Sequence, residues 1–380
     1  MFDYQRHARY FAQANPGLVD LAEAELRELG ARQTRALGSG VDFEADPSGL
    51  YRINHQARLV SRVLAPLARF ECPGPDDLYA HCRALPWETL FNLQQTFAVF
   101  ANVRPDEAFR HSGFAALRLK DAVADRFRDR FGRRPDVDPR RPDLWIGLHV
   151  EDKQATVSLD TSGGPLHRRG YRGMPAEAPI QETLAAAMVR LSGWQGERRL
   201  IDPLCGSGTL VCEALMAACR IPAAYRRRRF GFAFLPDYDN RLWSEVRRQA
   251  EARIGPLPRN RILAADLDPR AVAAARGNLA RLPNGADVPV RRRDLFDWPE
   301  LADCVILCNP PYGIRLARQA DLGDWYRRLG DFLKRRAKGS TALIYFGDRS
   351  FIKHIGLRPS WKRPLPSGGL DGRLARYDLY

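Results

Sequence analysis

Apolar residues recur at two different spacings along the first 160 residues of the chain, and each spacing predicts one type of element. Helical spacing predicts helices, whereas strict alternation predicts half-buried strands. The predicted helices are residues 18–29, 54–63, 76–84 and 114–131. The predicted strands are residues 10–14, 41–45, 68–71, 96–103, 144–150 and 154–159. Mixed elements of this kind indicate two α+β modules, a ferredoxin-like one over residues 1–70 and a second over residues 71–160.

The pattern changes after residue 160, where short and nearly continuous apolar runs alternate with helices. These runs are residues 200–201, 262–265, 304–308 and 342–345. Strands that are apolar on both faces indicate a parallel sheet covered by helices, so residues 165–380 are predicted to form a Rossmann-like α/β domain. The glycine-rich residues 161–165 are the predicted linker, and the arginine-rich and aromatic-rich residues 225–253 are interpreted as an insertion.

Composition places the chain among globular proteins, with 45% hydrophobic and 28% charged residues. No run approaches the ~18–20 apolar residues that a membrane span needs, and the first residues lack the apolar core of a secretory signal. The seven cysteines are odd in number and include no CxxC pair, which argues against a disulfide framework and a zinc site. We therefore expect a cytoplasmic protein that binds no metal and no membrane.

The formal net charge of +15 is unevenly distributed along the chain. Residues 1–160 contain 22 basic and 23 acidic residues, whereas residues 161–380 contain 38 and 22. This excess predicts a polyanionic partner that is bound through the second part of the chain. Within the first part, arginines follow one side of the predicted helix 114–131 and its end: Arg126, Arg128, Arg130, Arg133 and Arg134. They form either an RNA-facing surface or a solvated face balanced by nearby aspartates.

The first motif with chemistry is DPLCGSG, which begins at Asp202 and lies between a predicted strand and a predicted helix. Gly206 and Gly208 let backbone N–H groups approach a ligand at the start of that helix. Asp202 ends the strand, where a carboxylate can contact a cationic amino group. Cys205 lies in the same loop and is included among the candidate cofactor-binding residues.

Acidic residues also follow the next two predicted strands. Asp266 comes directly after the run 262–265, at the position where doubly wound folds bind ribose hydroxyls. Asp268 is suited to cap the following helix, a role compatible with ribose binding by Asp266. Asp294, after the third strand, is placed to accept a hydrogen bond from an adenine amine, although a surface turn has the same sequence pattern.

The motif NPPY, Asn309 to Tyr312, closes the apolar strand 304–308 and indicates the class of enzyme. Two prolines prevent further strand pairing, which frees the Asn309 side chain and the Pro310 carbonyl as acceptors. Two rigid acceptors suit a planar amine, whose nitrogen they make more nucleophilic, and Tyr312 is placed to stack on its ring. Cys205 and Cys308 are alternative thiolate nucleophiles, although such cysteines are more often packing residues.

Together these motifs resemble the class I S-adenosylmethionine-dependent methyltransferases with an NPPY motif, and more closely the RNA guanine-N2 methyltransferases that carry a THUMP domain. The matching segments are RRGYR (168–172), APIQETLA (178–185), residues 202–209 and NPPYGIRL (309–316). Within that family the chain is most similar to the bacterial 23S ribosomal RNA branch of the RlmL type. The resemblance implies a THUMP-like RNA-binding module over residues 71–160 and a class I methyltransferase domain over residues 165–380.

The resemblance also implies a role for each motif. The residues implied to bind S-adenosylmethionine share positions at strand ends: Asp202, Gly206 and Gly208 for the methionine part, Asp266 for the ribose, and Leu267 and Asp294 for the adenine. Asn309 and Pro310 are implied to accept the hydrogens of guanine N2, with Tyr312 stacked on the base. The implied partner is RNA, with ribosomal RNA preferred. We expect RNA binding to depend on salt mainly through residues after Gly163.

Four other functions remain open at this point. A transfer RNA guanine-N2 methyltransferase is the nearest alternative, because the sequence hardly separates it from a ribosomal one. A protein-glutamine methyltransferase shares the NPPY motif, since a side-chain amide is also a planar amine. A DNA adenine-N6 methyltransferase commonly has an aromatic residue after the tyrosine, where this chain has Gly313. A catalytically inactive RNA-binding protein is expected to lack Asn309 or the glycine loop, and both are present.

Overall fold

The computed structural model describes residues 1–173, 180–311 and 319–380. The chain forms two compact units, and each is assembled from separate stretches of sequence. Unit 1 comprises Met1–Ala14, Ala22–Leu166 and Arg227–Arg248. Unit 2 comprises Asn15–Leu21, His167–Arg226 and Gln249–Tyr380. In the part of the chain that the structure describes, no helix is long and apolar enough to span a membrane.

Helices and strands alternate through the first 160 residues. In chain order they are α1 (Asp3–His7), β1 (Arg9–Ala14), α2 (Val19–Glu28), β2 (Arg32–Leu37), β3 (Gly40–Glu44), α3 (Pro47–Gln56), β4 (Val60–Glu71), α4 (Pro75–Ala84), β5 (Phe97–Val103), α5 (Ser112–Phe131), β6 (Leu144–Glu151) and β7 (Gln154–Asp160). The seven strands form one sheet in the order β2-β3-β1-β4-β7-β6-β5. Within it β5 and β6 are parallel, and the other neighbours are antiparallel.

Strand β4 joins the two predicted α+β modules into this single sheet. It pairs with β1 on one side, where Leu64 lies opposite Phe11, and with β7 on the other, where Pro66 lies opposite Ser158. The predicted helix over residues 54–63 is therefore wrong, because residues 60–63 belong to β4. Apolar residues at helical spacing occur there, but strand pairing on both sides decides the structure.

The helix in this region, α3, begins at Pro47, seven residues before the predicted start. Asp46 caps it by accepting a hydrogen bond from the Gly49 amide at 2.7 Å. Proline at the first helical position and an aspartate before it are ordinary start signals, so the sequence does contain the correct boundary. The edge strand β2 escapes prediction because most of its side chains are exposed and its apolar residues do not alternate.

The arginines of α5 are largely neutralised by carboxylates of the same unit. Arg126 and Arg130 both contact Glu88, at 2.9 Å for Arg126, and Arg128 pairs with Asp125 at 2.6 Å. A guanidinium group that is already paired with a carboxylate attracts the phosphates of a nucleic acid less strongly. The structure therefore favours the solvated, balanced helix face over an RNA-facing surface.

Residues 161–165, the predicted linker, begin as a buried turn of unit 1. The Thr161 and Ser162 side chains are fully buried. The Thr161 hydroxyl donates to the Val63 carbonyl at 2.8 Å, and the Ser162 hydroxyl donates to the Asn54 side-chain oxygen at 2.9 Å. Small polar residues resemble a linker in sequence, but here their hydroxyls satisfy buried polar groups of α3 and β4.

The predicted insertion contributes Arg227–Arg248 to unit 1. Its aromatic residues pack on α3: the ring centres of Tyr51 and Phe232 are 4.6 Å apart, and those of His55 and Trp243 are 5.3 Å apart. Burial among these rings lowers the pKa of His55 to about 4. The insertion is thus part of the unit 1 core.

Among the residues that the structure describes, the remaining α-helices number five and the remaining strands seven. In chain order they are α6 (Glu182–Ser192), β8 (Arg199–Asp202), α7 (Thr209–Ala218), α8 (Asn240–Glu251), β9 (Ile262–Asp266), α9 (Pro269–Leu279), β10 (Val290–Arg292), β11 (Cys304–Cys308), α10 (Gln319–Arg336), β12 (Thr341–Phe346), β13 (Trp361–Pro364) and β14 (Arg373–Asp378). The strands form a second sheet in the order β10-β9-β8-β11-β12-β14-β13. Strands β8 to β12 pair with one another in parallel, whereas β14 pairs antiparallel with both β12 and β13.

This sheet confirms the predicted Rossmann-like arrangement of unit 2. All four predicted apolar runs are strands, and β11 and β12 are buried throughout their length. Ile306 and Ile344 of these strands belong to one apolar core with Leu329 and Leu333 of α10. Asp202 and Asp266 lie at the carboxyl ends of β8 and β9, which places the candidate site at that edge.

Candidate active site

Three neighbouring parallel strands, β9, β8 and β11, bring the candidate residues to one edge of the unit 2 sheet. Asp202 is the last residue of β8, Asp266 is the last residue of β9, and Asn309 directly follows β11. The carboxyl ends of parallel strands meet at the same edge, so the loops that follow them meet there as well. Residues from three separate sequence motifs therefore share one site.

The loop after β8 is fixed to β9 by hydrogen bonds from its backbone. The Cys205 amide donates to the Ala265 carbonyl at 2.9 Å, and the Gly206 amide donates to the Asp266 carboxylate at 2.8 Å. Backbone amides engaged in this way hold a defined loop shape at the start of α7. The loop and Asp266 therefore form one structural element of the site.

The two glycines of this loop have different surroundings. Gly206 has a φ of +52°, and a Cβ on it would have no atom within 4 Å, so its surface faces open space. Gly208 has a φ of +81°, and a Cβ on it would lie 3.0 Å from the Cβ of Ala275 in α9. A side chain is therefore excluded at Gly208 by the fold, whereas the open space at Gly206 leaves its backbone accessible, and its role in cofactor binding stays a prediction.

Asp202 is a buried carboxyl group, 1% exposed, that accepts a hydrogen bond from the Leu204 amide at 3.1 Å. Burial raises its pKa well above the usual range, and the nearby Asp266 carboxylate adds to this effect. A cation in contact with Asp202 would favour the ionised form. The ammonium group of the methionine part of S-adenosylmethionine supplies such a charge, so this residue fits that ligand.

Asp266 is held by two backbone amides, one on each carboxylate oxygen. Gly206 donates to Oδ2, and Asp268 donates to Oδ1 at 3.0 Å. Each oxygen keeps a further lone pair, which suits a ribose with two hydroxyl donors. Leu267 beside it is 59% exposed, which gives the site an apolar surface for a base. Asp268 caps α9 by accepting from the Arg270 amide at 2.8 Å, as predicted.

Asp294 lies in the turn after β10. Its Oδ1 accepts a hydrogen bond from the Phe296 amide at 2.9 Å, which is the cap of a short 3-10 turn. This structural role occupies one oxygen and leaves the other for a donor such as the adenine amine. The adenine role of Asp294 stays a prediction.

Asn309 carries a buried side-chain oxygen, Oδ1, that has no hydrogen-bond partner among the described residues. Leaving a buried acceptor unsatisfied costs roughly 1–3 kcal/mol, so such an atom is suited to a ligand that donates to it. Pro310 is buried beside it. The carbonyl of Pro311 accepts a hydrogen bond from the Tyr326 hydroxyl at 3.2 Å. Tyr312 lies outside the described residues, so its stacking role stays a prediction.

The cysteines near the site are poor nucleophiles. Burial raises the pKa of both Cys205 and Cys308 well above the usual range, with the Asp202 carboxylate adding to the effect on each. A thiol in this state does not ionise at neutral pH, and the thiolate is the nucleophilic form. Both residues are therefore packing residues. Within the described ranges, no group of three or more His, Cys, Asp or Glu side chains is arranged to hold a metal ion.

Two further residues support the loop after β8, and sequence reasoning misses both. Asn278 of α9 accepts from the Gly173 amide at 3.0 Å and donates to the Ser207 carbonyl at 2.9 Å. Arg172 donates to the hydroxyl of Thr209, the first residue of α7, at 3.1 Å. Arg172 lies in the RRGYR segment, which is a usable signal. Asn278 is a single polar residue within a helix, and nothing in the sequence distinguishes it.

Three family models match the chain. The RMKL-like methyltransferase domain matches residues 169–376, which is more than half of the chain. The THUMP domain matches residues 75–160, and the RlmL ferredoxin-like domain matches residues 9–64.

Similar proteins cover nearly all of the chain. A protein of Synechocystis sp., slr0064, whose name proposes an RNA methyltransferase, is 38% identical over 98% of this chain and 97% of its own length. The ribosomal RNA large subunit methyltransferase K/L of Syntrophotalea carbinolica is 40% identical over 98% of this chain and 53% of its own length. The chain thus spans about half the length of the K/L relatives it matches.

A solved structure has the same fold over the whole chain. SMU.472, named as a proposed methyltransferase and complexed with SAH, is 27% identical, covers 98% of each chain and has a TM-score of 0.85. The mainly parallel sheet of unit 2, the position of its candidate site at the strand ends and these matches all indicate the same type of fold. The chain belongs to the RMKL-like methyltransferase family, with an RlmL ferredoxin-like domain and a THUMP domain before the methyltransferase domain.

Proposed function

We propose that this chain transfers a methyl group from S-adenosylmethionine to the exocyclic N2 amine of a guanine in RNA, and that this RNA is 23S ribosomal RNA. Membership of the methyltransferase family supports the reaction type. The names of the K/L relatives support ribosomal RNA of the large subunit. The resemblance of the NPPY segment to guanine-N2 methyltransferases supports the acceptor atom.

The observation that carries the proposal is the buried Oδ1 of Asn309, which has no hydrogen-bond partner among the residues that the structure describes. An exocyclic amine has two hydrogens in the plane of its ring, so it needs two acceptors. Asn309 Oδ1 and the Pro310 carbonyl are adjacent along the chain and follow a rigid buried strand. Accepting both hydrogens orients the amine and increases the electron density on its nitrogen.

The donor side of the site is assigned to the loop after β8 and to Asp266. Asp202 holds the ammonium group, Asp266 holds the ribose hydroxyls, and Gly206 leaves space for close approach to the backbone. When bound, S-adenosylmethionine supplies a methyl group already activated on a positively charged sulfur. The residues of the chain therefore need only to position the two substrates and to exclude water, because positioning accounts for a large part of the barrier in such transfers.

The site needs no strong general base for this reaction. Asn309 and Pro310 would hold the amine until its nitrogen has been alkylated, and the extra proton on that nitrogen would then pass to solvent water. This order agrees with the surroundings of Asn309, where the buried thiol of Cys308 is not ionised. The acceptor atoms remain uncharged throughout.

The experiment that tests the proposal combines methylation assays with identification of the product nucleoside. The purified chain is incubated with labelled S-adenosylmethionine and with ribosomal RNA, transfer RNA or DNA in separate reactions. We expect N2-methylguanosine in ribosomal RNA. Methylation of transfer RNA alone contradicts the ribosomal assignment, and a methylated adenine contradicts the assignment to guanine N2.

The variant Asn309→Ala tests the role of the acceptor itself. We expect turnover to fall at least about 100-fold, the typical effect of removing one hydrogen-bonding group that acts at the transition state. Donor binding should survive, because Asn309 lies on the acceptor side. The variant Asn102→Ala, at an exposed position of β5 in unit 1, is the matched control. Near wild-type turnover of Asn309→Ala would remove the basis of the proposal.

A further inference from the structure

We propose that three arginines of unit 2, Arg292, Arg293 and Arg328, bind phosphate groups of the RNA substrate beside the donor side of the active site. This inference rests on the proposed function, because it takes RNA as the substrate. It goes further by assigning the phosphate-binding residues at the rim of the active site. These three residues are called the rim arginines below.

Several arginines on the surface of unit 1 have carboxylate partners. Besides the paired arginines of α5, a groove of about 900 Å³ on unit 1 is lined by Arg9, Arg35, Arg69 and Arg104. Three of these four pair with carboxylates: Arg9 with Glu44, Arg35 with Asp42 and Arg104 with Glu151. These three arginines therefore have a carboxylate of the same unit as their partner.

The rim arginines differ from these because no carboxylate oxygen of a described residue lies within ion-pair distance of any of them. Arg292 and Arg328 are exposed, and Arg293 is half-buried. Their charges are therefore available to a partner outside the fold. An unpaired cluster of guanidinium groups beside an active site is suited to phosphate, which guanidinium binds through two parallel hydrogen bonds.

Each rim arginine is also held in place by an uncharged contact. The guanidinium of Arg328 lies 4.2 Å from the ring centre of Phe296, and that of Arg293 lies 5.1 Å from the ring centre of Trp298. Arg292 donates through Nε to the Leu267 carbonyl at 3.3 Å. A ring or a carbonyl restricts the side chain and leaves other N–H donors free, so less conformational entropy is lost when a phosphate binds.

The same contacts connect the rim arginines to the site. The partner of Arg292 is Leu267, next to the ribose-binding candidate, and the backbone amide of Arg293 donates to the Asp266 carbonyl at 3.0 Å. The contact of Arg328 with Phe296 places it beside the turn that Asp294 caps, next to the adenine-binding candidate. The rim arginines therefore lie at the donor side of the site.

The phosphate role predicts a specific change in the salt dependence of RNA binding. Each phosphate contact releases condensed counterions and contributes about −0.7 to the slope of log K against log salt on a single strand. Removing one contact therefore makes the slope less steep by about 0.7. Arg292→Gln, Arg293→Gln and Arg328→Gln are combined in one full-length variant. We expect the magnitude of its negative slope to be smaller than that of the wild type by about 2.

The matched control combines Arg126→Gln, Arg128→Gln and Arg130→Gln on α5, which removes the same formal charge from arginines that are already paired. We expect the control to keep at least most of the wild-type slope. Calorimetric binding of S-adenosylmethionine to both variants checks that unit 2 is folded. If the triple variant fails this check, the single substitutions Arg293→Gln and Arg328→Gln replace it. Each is expected to reduce the magnitude of the slope by about 0.7.

An unchanged slope in the folded rim variants, or an equal loss in the control, overturns the inference. These outcomes leave the proposed function intact as long as the wild type produces N2-methylguanosine in RNA. Failure of the wild type to methylate any RNA instead contradicts the proposed function. The two results are therefore distinguishable, because one is read from binding slopes and the other from the product nucleoside.

Discussion

The hydroxyl of Tyr326 donates a hydrogen bond to the carbonyl oxygen of Pro311 at 3.2 Å. Tyr326 is fully buried, and its ring stacks on Phe346 and Phe351 with ring centres 5.5 and 4.9 Å away. The core of unit 2 thus holds the backbone two residues beyond Asn309. Tyr326 is a positioning residue, because it acts on Asn309 only through the backbone of the segment that contains Pro311.

The variant Tyr326→Phe keeps the stacked ring and removes only the hydroxyl. A hydrogen bond of this kind contributes about 1 kcal/mol, so we expect kcat to fall roughly fivefold while the affinity for S-adenosylmethionine is unchanged. Tyr345→Phe is the control, since it removes another buried hydroxyl of unit 2, which donates to the Leu365 carbonyl at 3.0 Å. Equal losses of kcat in both variants would indicate a general effect on the fold.

Replacement of Asp202 by asparagine is expected to stabilise the ligand-free protein and to abolish donor binding. The folded pKa of Asp202 is raised above its ordinary value of 3.8. The folded state therefore holds a proton that the unfolded state loses. The stability from this carboxyl is fully present below pH 3.8 and is lost as the pH rises through the raised pKa.

An asparagine has no such loss, so Asp202→Asn should unfold at a higher temperature than the wild type at pH 7, by a few degrees for each ~1 kcal/mol gained. Thermal unfolding without ligand measures this. Asp287→Asn, at an exposed aspartate of the same unit, should show no comparable gain. A lower melting temperature for Asp202→Asn would contradict the assigned proton state.

Donor binding is expected to release a proton from Asp202. The carboxyl is protonated in the free protein below its raised pKa, and contact with an ammonium group favours the ionised form. Affinity for S-adenosylmethionine should therefore rise with pH, by up to about tenfold per pH unit below the raised pKa. Calorimetry at pH 5 in two buffers of different ionisation enthalpy measures the released proton directly, and identical enthalpies in both buffers would argue against it.

The stability of unit 1 is expected to decrease in mild acid because of His55. Its folded pKa is about 4, below the ordinary value of 6.5, so the unfolded state binds the proton more readily. Stability is lost as the pH falls from 6.5 towards 4, by up to about 3 kcal/mol. Urea unfolding at pH 7 and pH 4.5 measures the loss.

The variant His55→Phe removes this titration and should make the unfolding midpoint of unit 1 less dependent on pH. His149→Gln is the control, because it replaces an exposed histidine of β6 in the same unit. If the wild type and His55→Phe lose stability equally between pH 7 and pH 4.5, another group must be responsible.

The sequence predicts that the candidate residues of unit 2 lie at strand ends because the signals are local. Asp202 and Asp266 end β8 and β9, Asn309 directly follows β11, and the parallel order of these strands brings their ends to one edge. The helix predicted over residues 54–63 fails for the opposite reason, since pairing of β4 with β1 and β7 is decided by residues far away in the sequence. Asn278 is equally inaccessible, because its partner Ser207 is 71 residues away and is a backbone carbonyl.

The chain's return to unit 1 at Arg227–Arg248 has a consequence for synthesis on the ribosome. Tyr51 and His55 are synthesised early. Phe232 and Trp243, which pack on them, are synthesised only after residues 167–226 of unit 2. At roughly 5–20 residues per second, the gap between Leu166 and Arg248 corresponds to about 4–16 seconds. During that interval the nascent chain exposes an uncovered aromatic surface on α3, the kind of surface that chaperones bind.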